Sequence, residues 1–261
     1  MHIVLQPHGT ESLTSDPLHL QFQALLASLN VMVSTAPRRL RLALLVFGAV
    51  LGLSGLWMLL PELLRPTPSG LAFDRNGIEA AAARRTSAVL AAEIGAIRGD
   101  LWAEAAFTGA RFMWTDRSTI FDWSNSGQLA RVRANAETAV ALAPVNGAAW
   151  LFLAKLPASS PEGENRVGTL LEMSYFTAPS ALDLAPWRLE RAATSNALTD
   201  KDLQVFIKSD IRGILDRGPE NRQAIMTAYR KAWPQNQPIF KSLVADADPA
   251  VAQLLRSGQP K

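Results

Sequence analysis

Residues 42–60 read LALLVFGAVLGLSGLWMLL, nineteen consecutive residues without a charge. At about 1.5 Å of rise per residue, such a helix comes close to the roughly 30 Å hydrocarbon layer of a bilayer. A helix in a soluble core keeps a polar face. This run has none, so it predicts a membrane span. Arg38, Arg39 and Arg41 crowd its N-terminal flank, whereas Arg65 stands alone beyond Trp57, Pro61 and Glu62. Basic residues stay on the cytoplasmic side. The expected localisation is therefore the inner (plasma) membrane, with the N-terminus cytoplasmic and the C-terminal domain periplasmic.

A cleaved signal peptide shares the pattern of arginines followed by an apolar core. Its h-region is shorter, however, and the PELLRPTPSG that follows here has no Ala-x-Ala site. Gly48, Gly52 and Gly55 fall on one face of the span and form a possible helix-packing face.

Four segments are expected: an N-terminal cytoplasmic segment at 1–37, the transmembrane anchor at 38–64, a linker at 65–75 rich in proline, and a helical domain at 76–261. In the first segment, Asp16 and Pro17 open an amphipathic pattern running from Leu18 to Val33. A start at Met32 instead would leave a short lead, MVSTAPRRLRL.

The domain is rich in helix formers, and no stretch alternates with period two, so the fold class is all-α. Helices are expected at 76–114, with a break at Gly95 and Gly99, and at 128–143, 148–156, 165–177, 186–197, 200–217 and 220–232. A last one is expected at 249–256, capped by Asp248. Residues 157–164 read as polar loop, and Pro234 to Pro238 read as a break.

Residues 136–154, AETAVALAPVNGAAWLFLA, resemble the junction between tetratricopeptide repeats. There one helix ends in Ala-x-x-Leu-x-Pro and the next opens with Ala-Trp and Leu-Ala pairs. Here these are Ala139, Leu142, Pro144, Ala149, Trp150, Leu153 and Ala154. The resemblance implies a tetratricopeptide-like antiparallel helical array, in which small alanines let helices approach and large apolar residues fill the gaps. IRGDLWAEAAFTGARFMW (97–114) and LLEMSYFTAPSALDLAPWRLERA (170–192) resemble single-span envelope proteins of α-proteobacteria. That resemblance implies a neighbourhood in export or assembly of surface polysaccharide.

Composition narrows the chemistry. The sequence has no cysteine, and His2, His8 and His19 all precede the span. A Ser-His-Asp triad, a Cys-His pair and a zinc site of His or Cys cannot be built in the domain. No phosphate-binding glycine loop is present, and no cofactor is expected. Beyond residue 70 stand 22 Lys or Arg against 20 Asp or Glu. Such a balance, without a basic stripe, argues against nucleic acid as a partner.

Carboxylate chemistry stays open, because two acids suffice for glycoside hydrolysis. Glu93, Glu104, Asp116 and Asp122 cluster near Trp102, Trp114 and Trp123, but also near Arg98, Arg111 and Arg117. Phe112, Trp114, Phe121 and Trp123 form a possible binding patch, with core packing as the other reading.

The expectation is a membrane-anchored periplasmic helical adaptor or scaffold with a protein partner in the envelope, and not an enzyme. The alternatives are a carboxylate-dependent glycan-active enzyme and a structural subunit of an inner-membrane complex.

Overall fold

A computed structural model describes residues 37–65, 77–111, 126–157 and 161–257. Among them every regular element is helical and no strand occurs. The chain divides into two compact units between Leu56 and Trp57.

The first helix, α1, runs from Arg38 to Leu64 without interruption, over 27 residues. It is long and apolar enough to cross a membrane, with a mean hydropathy of 2.2 over an 18-residue stretch. All residues from Leu42 to Leu60 are exposed. In the second unit, α2 (Gly77–Ile94) folds back into α3 (Gly99–Arg111), and α4 (Ser126–Leu142) follows. Then come α5 (Gly147–Lys155), the short α6 (Pro161–Asn165), α7 (Val167–Thr177) and α8 (Ala185–Ala193). After a 3-10 turn at Asn196–Thr199, α9 (Lys201–Asp216), α10 (Arg222–Lys231), α11 (Gln237–Ala247) and α12 (Pro249–Ser257) complete the unit.

Several boundaries follow from local chemistry. The Asp200 carboxylate accepts the N–H groups of Asp202 and Leu203 at 2.8 and 3.3 Å, capping α9. Asp248 does the same for Ala250 and Val251 at 2.8 and 3.2 Å, as its position before α12 predicts. Two expectations need correction. Residues 157–164 are not all loop, because α6 starts at Pro161. Pro238 does not break the chain either; it sits in the first turn of α11. A proline there loses no helical hydrogen bond, because the first N–H groups of a helix have no intrahelical acceptor.

Small residues set the distances between helices. A Cβ on Gly99 would stand 2.6 Å from Ala143 Cβ and 2.7 Å from the Ala139 carbonyl oxygen, while one on Gly109 would meet Val132. The start of α3 therefore lies against the end of α4, and the pair is antiparallel. Gly147, at 2.5 Å from Ala178 Cβ by the same construction, brings the start of α5 against the end of α7. The core between these helices is alanine-rich, with Ala103, Ala106, Ala110, Ala136, Ala139, Ala149 and Ala154 all buried. Larger residues take over further along. Leu203, Ile207, Ile211 and Ile214 make the buried face of α9, each side chain stabilising by about 1.5–3 kcal/mol. Helix lengths range from 5 to 18 residues after α1, and among the described residues no pair of equal helices recurs at a fixed period.

Gly99→Ala should cost about 1–3 kcal/mol, because the added methyl meets backbone that cannot yield. Gly168→Ala should be neutral or stabilising by up to about 1 kcal/mol, since its nearest neighbour would be Ala197 Cβ at 3.9 Å. Denaturant titration of the two variants in detergent checks the ordering.

Candidate functional site

Three features of the described residues carry chemistry: the end of α1 with the turn it meets, an open cleft, and a buried polar cluster.

The turn between α2 and α3 spans residues 95–98. The Trp57 indole N–H donates to the Ile94 carbonyl at 2.9 Å, and Trp102 donates to the Ala96 carbonyl at 3.0 Å. The backbone N–H of Arg98 donates to the Gly95 carbonyl at 2.7 Å. Three successive carbonyls that would be orphaned past the end of α2 are thus satisfied. Below them lies a four-charge cluster. Arg98 contacts Glu62 at 2.5 Å and Asp100 at 2.7 Å, and Arg65 contacts Asp100 at 3.2 Å and Glu62 at 3.6 Å. Burial pushes the Asp100 carboxyl up, but the hydrogen bond from Arg98 and the charges of Arg98 and Arg65 hold it below the usual range. Pro61 is buried here, and Gly95 leaves room for Leu101: a Cβ on Gly95 would lie 2.4 Å from the Leu101 side chain and 3.5 Å from Pro61 Cβ.

The cleft lies among α4, α5 and α7 and holds about 340 Å³. Val140, Leu153, Leu156, Val167 and Leu170 supply its apolar lining, and Arg133, Glu137 and Arg166 its charges. Trp150 forms part of the wall, held by its indole N–H on the Pro144 carbonyl at 2.7 Å.

The buried cluster joins α7, α8 and α9. Arg188, fully buried, donates from Nε to Ser174 Oγ at 3.0 Å and from Nη2 to the carbonyls of Ser174 and Ala178 at 2.6 and 2.9 Å. It thereby closes the C-terminal end of α7. Its guanidinium lies 4.4 Å from the centre of the Tyr175 ring, and the Tyr175 hydroxyl donates to Asp210 at 2.9 Å. Burial pushes the Asp210 carboxyl up to about 6, only partly offset by the Tyr175 hydrogen bond and the Arg188 charge. Burial also pushes the Tyr175 phenol well up and the Arg188 guanidinium down.

Lys155, at the end of α5, sits 3.8 Å from the centre of a Trp187 ring. Burial lowers its amine to about 8 against the opposing pull of Glu190.

Of the residues singled out in the sequence, Phe112, Trp114, Phe121 and Trp123 lie outside the described residues, as do Asp116 and Asp122. So does the expected linker, apart from Arg65, and so does the segment 1–36. Gly48, Gly52 and Gly55 are described: a Cβ on any of them would meet nothing within 4 Å. Glu93 is exposed and lines a second cleft with Arg85, Trp102 and Arg131, while Glu104 is buried. Within the tetratricopeptide-like stretch, Ala139, Ala149, Leu153 and Ala154 are buried, Trp150 is half-buried, and Leu142 is 41% exposed.

Neither a protein-family model, nor a curated protein, nor a solved structure matches this chain. Among the described residues no group of three or more His, Cys, Asp or Glu could hold a metal ion.

Sequence reasoning missed Arg188 and Asp210, although a signal was present. Arg188 shares a helical face with Ala185, Leu189 and Ala192, and Asp210 shares one with Leu203, Ile207 and Ile214, all buried. A charge at an apolar position of the 3.6-residue period marks a buried ionisable group.

The raised carboxyl gives a pH test. Asp210 ionises at 3.8 when unfolded and at about 6 when folded, so folding favours its protonated form. The penalty is complete above the folded value and fades as pH falls through 6 towards 3.8. The stability of the wild type relative to Asp210→Asn should therefore rise by about 2 kcal/mol between about pH 7.5 and about pH 4.5. Urea titrations of both proteins at the two pH values check this; a constant or falling difference contradicts it.

Proposed function

We propose that this chain is a single-span membrane protein of the cell envelope whose helical domain works outside the cytoplasm as an adaptor for a protein partner. One observation carries the reading. Helix α1 is 27 residues long, an 18-residue stretch within it has a mean hydropathy of 2.2, and none of that stretch is buried. So large an apolar surface is costly in water and stable in a bilayer. Arg38, Arg39 and Arg41 at one end support an orientation with the N-terminus in the cytoplasm.

The domain supports binding over catalysis. Many short helices packed side by side make clefts at their junctions, and the cleft among α4, α5 and α7 has the apolar lining and mixed charge of a peptide-docking surface. The buried alanines at the α4–α5 junction support the reading of a tetratricopeptide-like use of this face. Tethering raises the effective concentration of the domain towards partners in the same membrane. The resemblance to α-proteobacterial envelope proteins supports a place in surface-polysaccharide assembly.

Alkaline phosphatase, active only outside the cytoplasm, fused after residue 75 and separately after residue 261 tests the placement, with a cytoplasm-active fluorescent protein as control. Phosphatase activity at both sites, with the protein retained in alkali-washed membranes, is the expected result. Fluorescence at both sites without phosphatase activity would place the domain in the cytoplasm and remove the envelope role.

A further inference from the structure

We propose that the turn between α2 and α3 is a second lipid contact: Ile97 inserts into the interfacial layer of the bilayer beside Trp57 and Met58. The proposal rests on the reading that α1 crosses a membrane, and it adds a residue far from the span in sequence to the lipid-facing surface.

Position is the first argument. Ile97 is 68% exposed, and it lines a narrow crevice with Trp57, Met58, Pro61, Gly95 and Arg98. Trp57 and Met58 are themselves 42% and 61% exposed, and both precede the end of the uncharged run at Leu60. Ile97 is therefore level with the last turn of the apolar segment. Its exposed side chain lies beside those of Trp57 and Met58, whereas Val205 projects from α9, in a different part of the fold.

The turn's hydrogen bonding is the second argument. Each backbone carbonyl hydrogen-bonded within the protein lowers the cost of bringing this turn out of bulk water. The carbonyls of Ile94, Gly95 and Ala96 accept from the Trp57 indole, the Arg98 backbone and the Trp102 indole. Tryptophan suits this depth, with an apolar ring and a single N–H to place.

Charge is the third. The ionic groups beside the crevice, Glu62, Arg65, Arg98 and Asp100, are two acids and two bases in mutual contact. The cluster is neutral overall, so it can stand at the headgroup level without an uncompensated charge. The Arg98 side chain turns to Glu62 and Asp100, leaving Ile97 as the exposed large side chain of the turn.

The sequence has no cysteine, so single-cysteine variants of the full chain can each carry one fluorophore. Leu51→Cys, Ile97→Cys and Val205→Cys are labelled and reconstituted in phosphatidylcholine vesicles with or without brominated acyl chains. Quenching by the brominated lipid and by aqueous acrylamide is then compared. Expected is lipid quenching at Leu51 and Ile97 and none at Val205, with acrylamide several-fold weaker at Ile97 than at Val205. Lipid quenching at Leu51 but none at Ile97 overturns this proposal and leaves the anchor standing. Ile97 shielded from both quenchers points to a protein contact, such as a second copy, and also overturns it. Absence of lipid quenching at Leu51 overturns the anchor reading, and this proposal with it.

Discussion

The constraint on which this architecture depends is the carbonyl groups left over at the ends of helices. Each helix leaves its last four carbonyls without intrahelical partners. A domain of many short helices multiplies that cost, because ends make up a large share of its backbone. Here the ends are satisfied by side chains reaching in from elsewhere in the chain. Trp57 serves Ile94, Arg191 serves Ala154, Arg188 serves Ser174 and Ala178, and Asn236 serves Ala193 and Ser195. Each such bond also fixes which helix end meets which element. Polar groups and the alanine-rich packing thus specify the same arrangement by separate means.

This explains why charged and amide groups sit so deep. Arg188 and Asn236 are buried because the carbonyls they serve are buried. Burial of a guanidinium is more tolerable when strong acceptors replace its water; two carbonyls and a hydroxyl do so for Nε and Nη2 of Arg188, while Nη1 is buried without a hydrogen-bond partner among the described residues. Asp210 has only the Tyr175 hydroxyl and the more distant Arg188 charge, and its raised ionisation reflects that poorer replacement.

Legibility in the sequence followed the range of the interaction concerned. The long apolar helix α1 was readable because nineteen uncharged residues suffice by themselves. The starts of α9 and α12 were readable because Asp200 and Asp248 act within three residues of their own positions. Helix α11 was missed because Pro238 admits two local readings, helix breaker and first-turn residue, and the tertiary contacts of Phe240, Leu243 and Val244 decide between them. The capping donors were illegible for a different reason: 10 to 43 residues separate Arg188 and Asn236 from the carbonyls they serve. The lipid-facing place of Ile97 belongs to the same class, for it depends on where Trp57 meets the end of α2.

These separations have a consequence for synthesis on the ribosome. The donors for α5, α7 and α8 all lie downstream of the helices they finish, by 37, 14 and 43 residues. At roughly 5–20 residues per second, the end of α8 waits a few seconds for Asn236 to emerge. Helix α2 has no such delay, because Trp57 precedes Ile94 and has already left the tunnel when the carbonyl follows. The N-terminal corner can therefore close while translation continues, α5 and α7 are finished once Arg188 and Arg191 have followed, and the end of α8 is last.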